Sequence, residues 1–470
     1  MEGNTNKERG GVEWRINMGD GTSRVLEAES RFGLQRFVSK VGGFFQRAWR
    51  LGVNEPKKLI HCVKVGLALS LVSLFYYMRP LYDGVGGNAM WAVMTVVVVF
   101  EYTVGATLCK CVNRATGTFL AGALGVGVHW VASQSGERFE PIILQLSVFL
   151  LATAATFSRF IPSIKARFDY GAMIFILTFS LISVSGYRVE KLFEMAHHRL
   201  STIAIGTSIC IITTIVFCPV WAGTELHNLI RNNMDKLSDS LDGCVADYFS
   251  TNSETSDKTW QGYKCALNSK ATEESLANFA RWEPAHDKFN FGHPWLEYVK
   301  VGASLRSCAY CIEALNGSMN SEAKVPDGLK QHFGNFCVRL SNASSGVMRE
   351  VAVVMSSMKK PTRIDFMAEE MRNAVEELEN ALKSLSKQPI LAAEGVTLVE
   401  VAPLVTVSSL LIEIAARTEK LAGAVNGVAE KAEFEVETAE EAKKGQSLKE
   451  GTRLMMKEEE DKAMKTLQKV

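Results

Sequence analysis

Between Leu59 and Trp221 the chain carries six apolar segments with few charges, and almost everything outside that interval is polar and helix-patterned. Charge-free runs extend from Gly84 to Phe100, Ala115 to Gly136, Pro141 to Ser158, Tyr170 to Tyr187 and Leu200 to Thr224. A further apolar stretch, Leu59 to Met78, is broken only by His61 and Lys64. Runs of this length match the ~20 residues that a helix needs to cross a bilayer core. A mean hydropathy near zero hides this division, because an apolar third is averaged with a charged remainder. The expected fold is therefore all-α: a six-helix transmembrane domain followed by a helical bundle.

Four regions follow from the pattern. Residues 1–55 form an N-terminal segment with Trp14, Phe32, Phe44, Phe45 and Trp49 among basic residues, and the part before Pro56 suits an amphipathic helix lying on a membrane surface. The start, MEGNTNKERG, has no apolar core behind a basic head, so no cleavable signal peptide is expected. Residues 56–223 hold the six spans. Residues 224–430 form the helical domain, with apolar residues at threes and fours (Leu226, Leu229, Ile230, Leu237, Leu241) and further helices predicted over Thr272–Ala280, Pro294–Asn316, Leu329–Met355, Arg363–Leu385 and Val396–Val428. Residues 431–470 are a Glu- and Lys-rich tail, either a solvated helix or disordered.

Charge sets the orientation. Arg36, Lys40, Arg47, Arg50, Lys57, Lys58, Lys110, Arg114, Arg159, Lys165 and Arg167 would lie on one side. Arg79, Arg138, Arg188, Lys191 and Arg199 lie on the other, interleaved with Asp83, Glu137, Glu140, Glu190 and Glu194. The loops are short, so the positive-inside rule places both termini in the cytoplasm. The third span, rich in Gly, Ala and Thr, reads either as a tightly packed helix or as a cavity lining.

No catalytic set is visible: GxSxG, HExxH and a phosphate loop are all missing. An enzyme is not expected, nor is a cofactor. The net charge of +1 gives no reason to expect a nucleic-acid partner. Among ten cysteines, Cys308-Ala-Tyr-Cys311 has the spacing of a redox or zinc pair, but no second CxxC or HxxxH accompanies it and the pair falls in a helical pattern, so buried thiols are expected.

The cations remain. Lys64 sits inside the first span, Arg114 ends the loop after the second, Arg159 and Lys165 flank the loop after the fourth, and Arg199 begins the sixth. Each alone is an ordinary topology-setting charge. Together they put positive charge at both ends of a bundle, and a ring of cations at a constriction selects anions. On the outer side, Asp83, Glu190 and Glu194 form either a carboxylate site for a hard cation or simple solvated acids balancing Arg188 and Arg199.

Several long motifs also resemble one family in the correct order: Gly87–Glu101 (GNAMWAVMTVVVVFE), Gly105-Ala-Thr-Leu108, Asn113-Arg114, Arg167-Phe-Asp-Tyr-Gly171, Pro219-Val-Trp-Ala-Gly223 and Trp282-Glu283-Pro284. These resemble the plant aluminium-activated malate transporter family from about Glu55 to about Gly317. That resemblance implies a multi-pass membrane anion channel, a homodimer, conducting malate and other organic or inorganic anions. It implies that Arg114 and Arg199, and less directly Lys64 and Arg159, line the pore. It aligns Asp83, Glu190 and Glu194 with the external acids of aluminium-responsive members. Glu283 corresponds to a cytosolic acid linked to channel activity, and Phe217 to a segment proposed for inhibition by gamma-aminobutyrate. The plasma membrane is favoured over the vacuolar one. The competing expectations are an ion-coupled carboxylate carrier and a membrane-tethered sensor or scaffold.

Overall fold

In a computed structural model, the structure describes residues 15–17, 23–25, 40–43, 46–50, 52–78, 89–136, 138–186, 192–249, 261–321, 325–360, 363–385 and 398–436. The chain divides into two compact units, residues 1–67 and 68–470. The first contains a short antiparallel pairing of β1 (Arg15–Asn17) with β2 (Ser23–Val25), helical turns at 40–43, 46–50 and 52–54, and the start of α1 (Pro56–Tyr77). Trp49, on one of those turns, is exposed.

The second unit opens with an apolar bundle: α2 (Ala89–Val99), α3 (Val104–Gln134), α4 (Glu140–Ser158), α5 (Pro162–Gly186) and α6 (Leu192–Val216). The local chemistry explains the boundaries. Thr103 caps α3, its hydroxyl accepting the Ala106 N–H at 3.3 Å. Prolines 141 and 162 fall in the first turns of α4 and α5, where the missing N–H costs nothing. Helix α3 therefore begins ten residues before Arg114, and this corrects the expectation that Arg114 ends a loop. Likewise α6 begins at Leu192, so Arg199 lies two turns inside a helix.

Helices α3 and α5 pack against each other, and α6 and α4 against them. A Cβ on Gly117 would come within 2.7 Å of the Gly171 carbonyl oxygen, so the small residues of the third span serve close approach on this face. Asn113 locks the crossing by donating to the Arg167 carbonyl at 3.0 Å. The outer surface is apolar: Phe119, Leu120, Leu146, Phe149, Leu150 and Phe157 are all more than half exposed. A water-facing bundle does not present such a surface. Helices α3, α4 and residues 162–184 of α5 are long and apolar enough to cross a membrane, and 90–99 and 200–216 are shorter apolar helices.

A second bundle follows: α7 (Ala222–Phe249), α8 (Tyr263–Asn268), α9 (Lys270–Ala280), α10 (Trp295–Met319), α11 (Asp327–Ser357), α12 (Ile364–Ser384) and α13 (Leu398–Lys431). Strands β3 (Lys359–Lys360) and β4 (Glu435–Val436) make one short parallel pairing. On α7, Leu226, Ile230, Met234, Leu237, Leu241 and Val245 are fully buried at helical spacing, as periodicity predicts. Helix α13 is also apolar and long enough to span a bilayer. Instead it buries Leu404, Val407, Leu411, Ile414, Leu421 and Val425 in this core, while Glu413, Arg417 and Glu419 form ion pairs on its flanks. Cys308 and Cys311 are buried, unbonded thiols; burial pushes Cys308 up to about 12.

Arg306 and Glu273 form a charged pair inside this core. Arg306 Nη1 donates to Glu273 Oε2 at 2.5 Å, and Ser269 donates to the other carboxylate oxygen at 2.6 Å. Removing one partner strands a buried charge, which costs about 3–5 kcal/mol. Arg306→Met should therefore lower the melting temperature of the purified protein sharply, and the double variant Glu273→Met/Arg306→Met should recover much of that loss. An additive double variant would exclude coupling between the two.

Candidate functional site

Four helices of the apolar bundle converge on a small cavity of about 20 Å³. Trp91 comes from α2, Arg114 and Thr118 from α3, Ile174, Leu177 and Thr178 from α5, and Ile203 from α6. Arg114 is 8 % exposed and Thr118 5 %. One Arg114 terminal nitrogen donates to the Tyr170 hydroxyl at 3.1 Å. Its Nε is buried with no hydrogen-bond partner, and so is the Thr118 hydroxyl one turn along the same face. Among the described residues no carboxylate lies within ion-pair distance of Arg114. A buried cation with only a neutral partner is costly unless something compensates it, so this guanidinium offers unmet donor capacity in an apolar setting. The sequence pointed to Arg114; Trp91 and Tyr170 entered only as members of the Gly87–Glu101 and Arg167–Gly171 motifs, and Thr118 carried no signal.

The other expected cations are placed differently. Arg159, just after α4, is half-buried and forms a two-pronged contact with Asp169 on α5, at 2.7 and 3.3 Å. Lys64, in α1, is 4 % exposed. Arg199 and Glu194 lie on α6, but their side chains are outside the described residues, as are Asp83 and Glu190 entirely. Phe217, directly after α6, is about half exposed.

Glu283 occupies the junction between the two bundles. Its Oε1 accepts the N–H of Gly105, in the first turn of α3, at 3.0 Å and that of Ala222, opening α7, at 2.6 Å. Its Oε2 accepts the Gly223 N–H at 3.0 Å. Helix starts leave N–H groups without intrahelical acceptors and carry partial positive charge. One carboxylate thus caps two helices at once. Val104 N–H also donates to the Val220 carbonyl at 2.9 Å, tying the same two segments. Burial raises the Glu283 carboxyl, and the three backbone donors oppose that rise. A side chain at position 105 would strike the Phe279 carbonyl, so the approach needs glycine there. His286 stacks on Trp221 with ring centroids 4.1 Å apart, its Nε2 3.9 Å from Glu283.

Beside this clamp, the Tyr298 hydroxyl lies 3.3 Å from His227 Nδ1 and 3.1 Å from His293 Nε2. Burial, aided by neighbouring Arg231 and Lys288, pushes His227 down to about 4; burial, with His227 and His286 nearby, pushes His293 to about 4 as well. Both are thus neutral in the folded state. As pH falls from about 6.5 towards 4 the unfolded chain binds protons that the folded chain does not, so folding stability drops through that window. A loss of about 2 kcal/mol per imidazole between pH 7 and 5 is expected, on the order of what linkage gives for such a shift. Melting temperatures followed against pH should flatten in His227→Phe, and an unchanged slope would exclude that residue as the source.

A family model described as aluminium activated malate transporter matches residues 49–397. Aluminum-activated malate transporter 10 of Arabidopsis thaliana is 52 % identical over 91 % of this chain and 96 % of that protein. Aluminum-activated malate transporter 2 of the same plant is 45 % identical over 84 % and 79 %, and aluminum-activated malate transporter 1 of Triticum aestivum 41 % identical over 84 % and 87 %. With its apolar outer surface and membrane-length helices, this chain is a membrane protein that belongs to the aluminium-activated malate transporter family.

Proposed function

We propose that this chain is a channel that passes malate and other organic or inorganic anions across a plant membrane, through a path lined by Arg114. The observation that carries this reading is the buried, incompletely partnered guanidinium at the meeting of four apolar helices. Malate carries two carboxylates, and a guanidinium suits carboxylate geometry. The names of all three relatives state malate transport outright. In this reading six helices of residues 56–223 span the membrane, residues 224–430 form a cytosolic domain, and two subunits assemble. Arg199, Lys64 and Arg159 supply further positive charge along the route, with Arg159 held by Asp169. Asp83, Glu190 and Glu194 form the outer acidic group, and the plasma membrane is the host.

Passive conduction fits better than ion coupling. Among the described residues the apolar bundle buries no carboxylate that could relay a proton; Glu101 is partly exposed and paired with Lys110. Voltage clamp of the expressed protein with malate, nitrate and chloride tests the proposal. Reversal potentials should follow the anion gradient alone, and a dependence on the proton or sodium gradient would replace the channel with a carrier.

A further inference from the structure

We propose that the cavity between Arg114, Thr118 and Thr178 is a binding site for one desolvated monatomic anion, a halide. The inference rests on the anion-path reading above and adds the class of ion that this cavity takes in its present shape. Three observations converge on it.

The first is size. Holding one water needs roughly 10–15 Å³ of probe-occupied space. The cavity, at about 20 Å³, takes one water-sized or slightly larger species. A four-carbon dicarboxylate does not fit until the helices part.

The second is the donor set. Arg114 Nε and the Thr118 hydroxyl are both buried, both without a partner, and both on residues lining the same space. The behaviour of the other threonines makes Thr118 stand out. Thr95, Thr116, Thr207 and Thr214 each turn their hydroxyl onto the carbonyl four residues back, at 2.7–2.8 Å. That is the ordinary resting bond of a mid-helix threonine. Thr118 forgoes it, which leaves an O–H donor free one turn from a guanidinium.

The third is sign. A trapped water needs two to four polar partners of mixed kind. Here the two unmet groups include a permanent cation, and an anion accepting from both cancels its charge in an apolar site. The walls of Ile174, Leu177, Ile203 and Trp91 offer little to a strongly hydrated ion and suit a polarisable, weakly hydrated one. No step of chemistry is involved: the ion binds, exchanges its water shell for two donors, and leaves.

The test uses the full chain in nanodiscs. Chloride-35 line broadening reports exchange of chloride with a protein site. Wild type should broaden the line, with bromide competing. Thr118→Val removes the hydroxyl and keeps the shape; it should weaken chloride binding roughly tenfold to a hundredfold, the weight of one hydrogen bond to a charged group. The chloride-to-malate permeability ratio from bi-ionic reversal potentials should fall by the same factor. Thr118→Ser restores the hydroxyl and should restore both, which separates lost ligation from lost packing. Wild-type broadening and an unchanged ratio in Thr118→Val would overturn the halide site. Conducting protein whose chloride signal ignores Thr118 removes the site and leaves the channel reading standing. Thr118-dependent chloride binding in protein that passes no anion current removes the channel reading and leaves the site.

Discussion

Arg114→Gln should abolish anion current while the protein still reaches the membrane. A unit charge about 4 Å away is worth about 4 kcal/mol at an effective dielectric of 20, and each 1.4 kcal/mol is about tenfold in occupancy. Glutamine keeps hydrogen-bonding capacity but not the charge, so an anion leaving water at this point loses its replacement partner. Currents at or below background are expected for malate and chloride alike. Arg114→Lys keeps the charge and loses the Nε donor and the planar fork, so it should conduct weakly and with altered selectivity. Surface labelling must show wild-type amounts of both variants, because Arg114 also bonds Tyr170 and packs within the bundle. Wild-type malate current in Arg114→Gln would remove this residue from the path.

The second large effect is expected at Glu283. Its carboxylate satisfies three backbone donors from two helix starts. In Glu283→Gln one oxygen becomes an amide that donates, so at least one buried N–H loses its acceptor and faces another donor. Each unsatisfied buried group costs about 1–3 kcal/mol. The variant should therefore melt earlier and gate abnormally, with current reduced at every voltage. Glu283→Asp keeps the charge and falls short by one methylene, and should lie between. Arg114→Gln makes a useful contrast: it should silence current with a much smaller change in melting temperature. A Glu283→Gln protein with normal stability and normal voltage dependence would show that the clamp is not needed for either.

Much of the architecture was readable from residue spacing. The second bundle follows the 3.6-residue apolar rhythm closely, and the predicted Pro294–Asn316 and Leu329–Met355 correspond to Trp295–Met319 and Asp327–Ser357. Helix ends were less legible where a helix carries charge inward. The run 104–114 contains Lys110, Asn113 and Arg114, so hydropathy cuts the span at Ala115, whereas the Thr103 cap starts it eleven residues earlier. Helix α13 shows the opposite ambiguity: its composition suits lipid, and only its contacts place it in a protein core.

The site was partly legible for a related reason. A charged residue in an apolar stretch is conspicuous, so Arg114 could be singled out. Thr118 could not, because threonines in apolar helices normally satisfy themselves on the preceding turn. The pairing of Arg159 with Asp169 joins two helices across a tight corner, and charge counting treats those residues as separate. Glu283 stood out in its Trp-Glu-Pro motif, but its partners did not. They are backbone N–H groups 60, 61 and 178 residues away, and backbone atoms leave no trace in side-chain identity.

The position of the clamp along α3 sets a mechanical ratio. Glu283 grips the helix at Gly105, and Arg114 lies nine residues further on, about 13 Å along the axis at 1.5 Å per residue. With that grip as fulcrum, a tilt of about 5° sweeps the guanidinium sideways by about 1 Å, on the scale that separates a made from a broken hydrogen bond. Any force that tilts α3 about this grip therefore displaces the guanidinium without touching it.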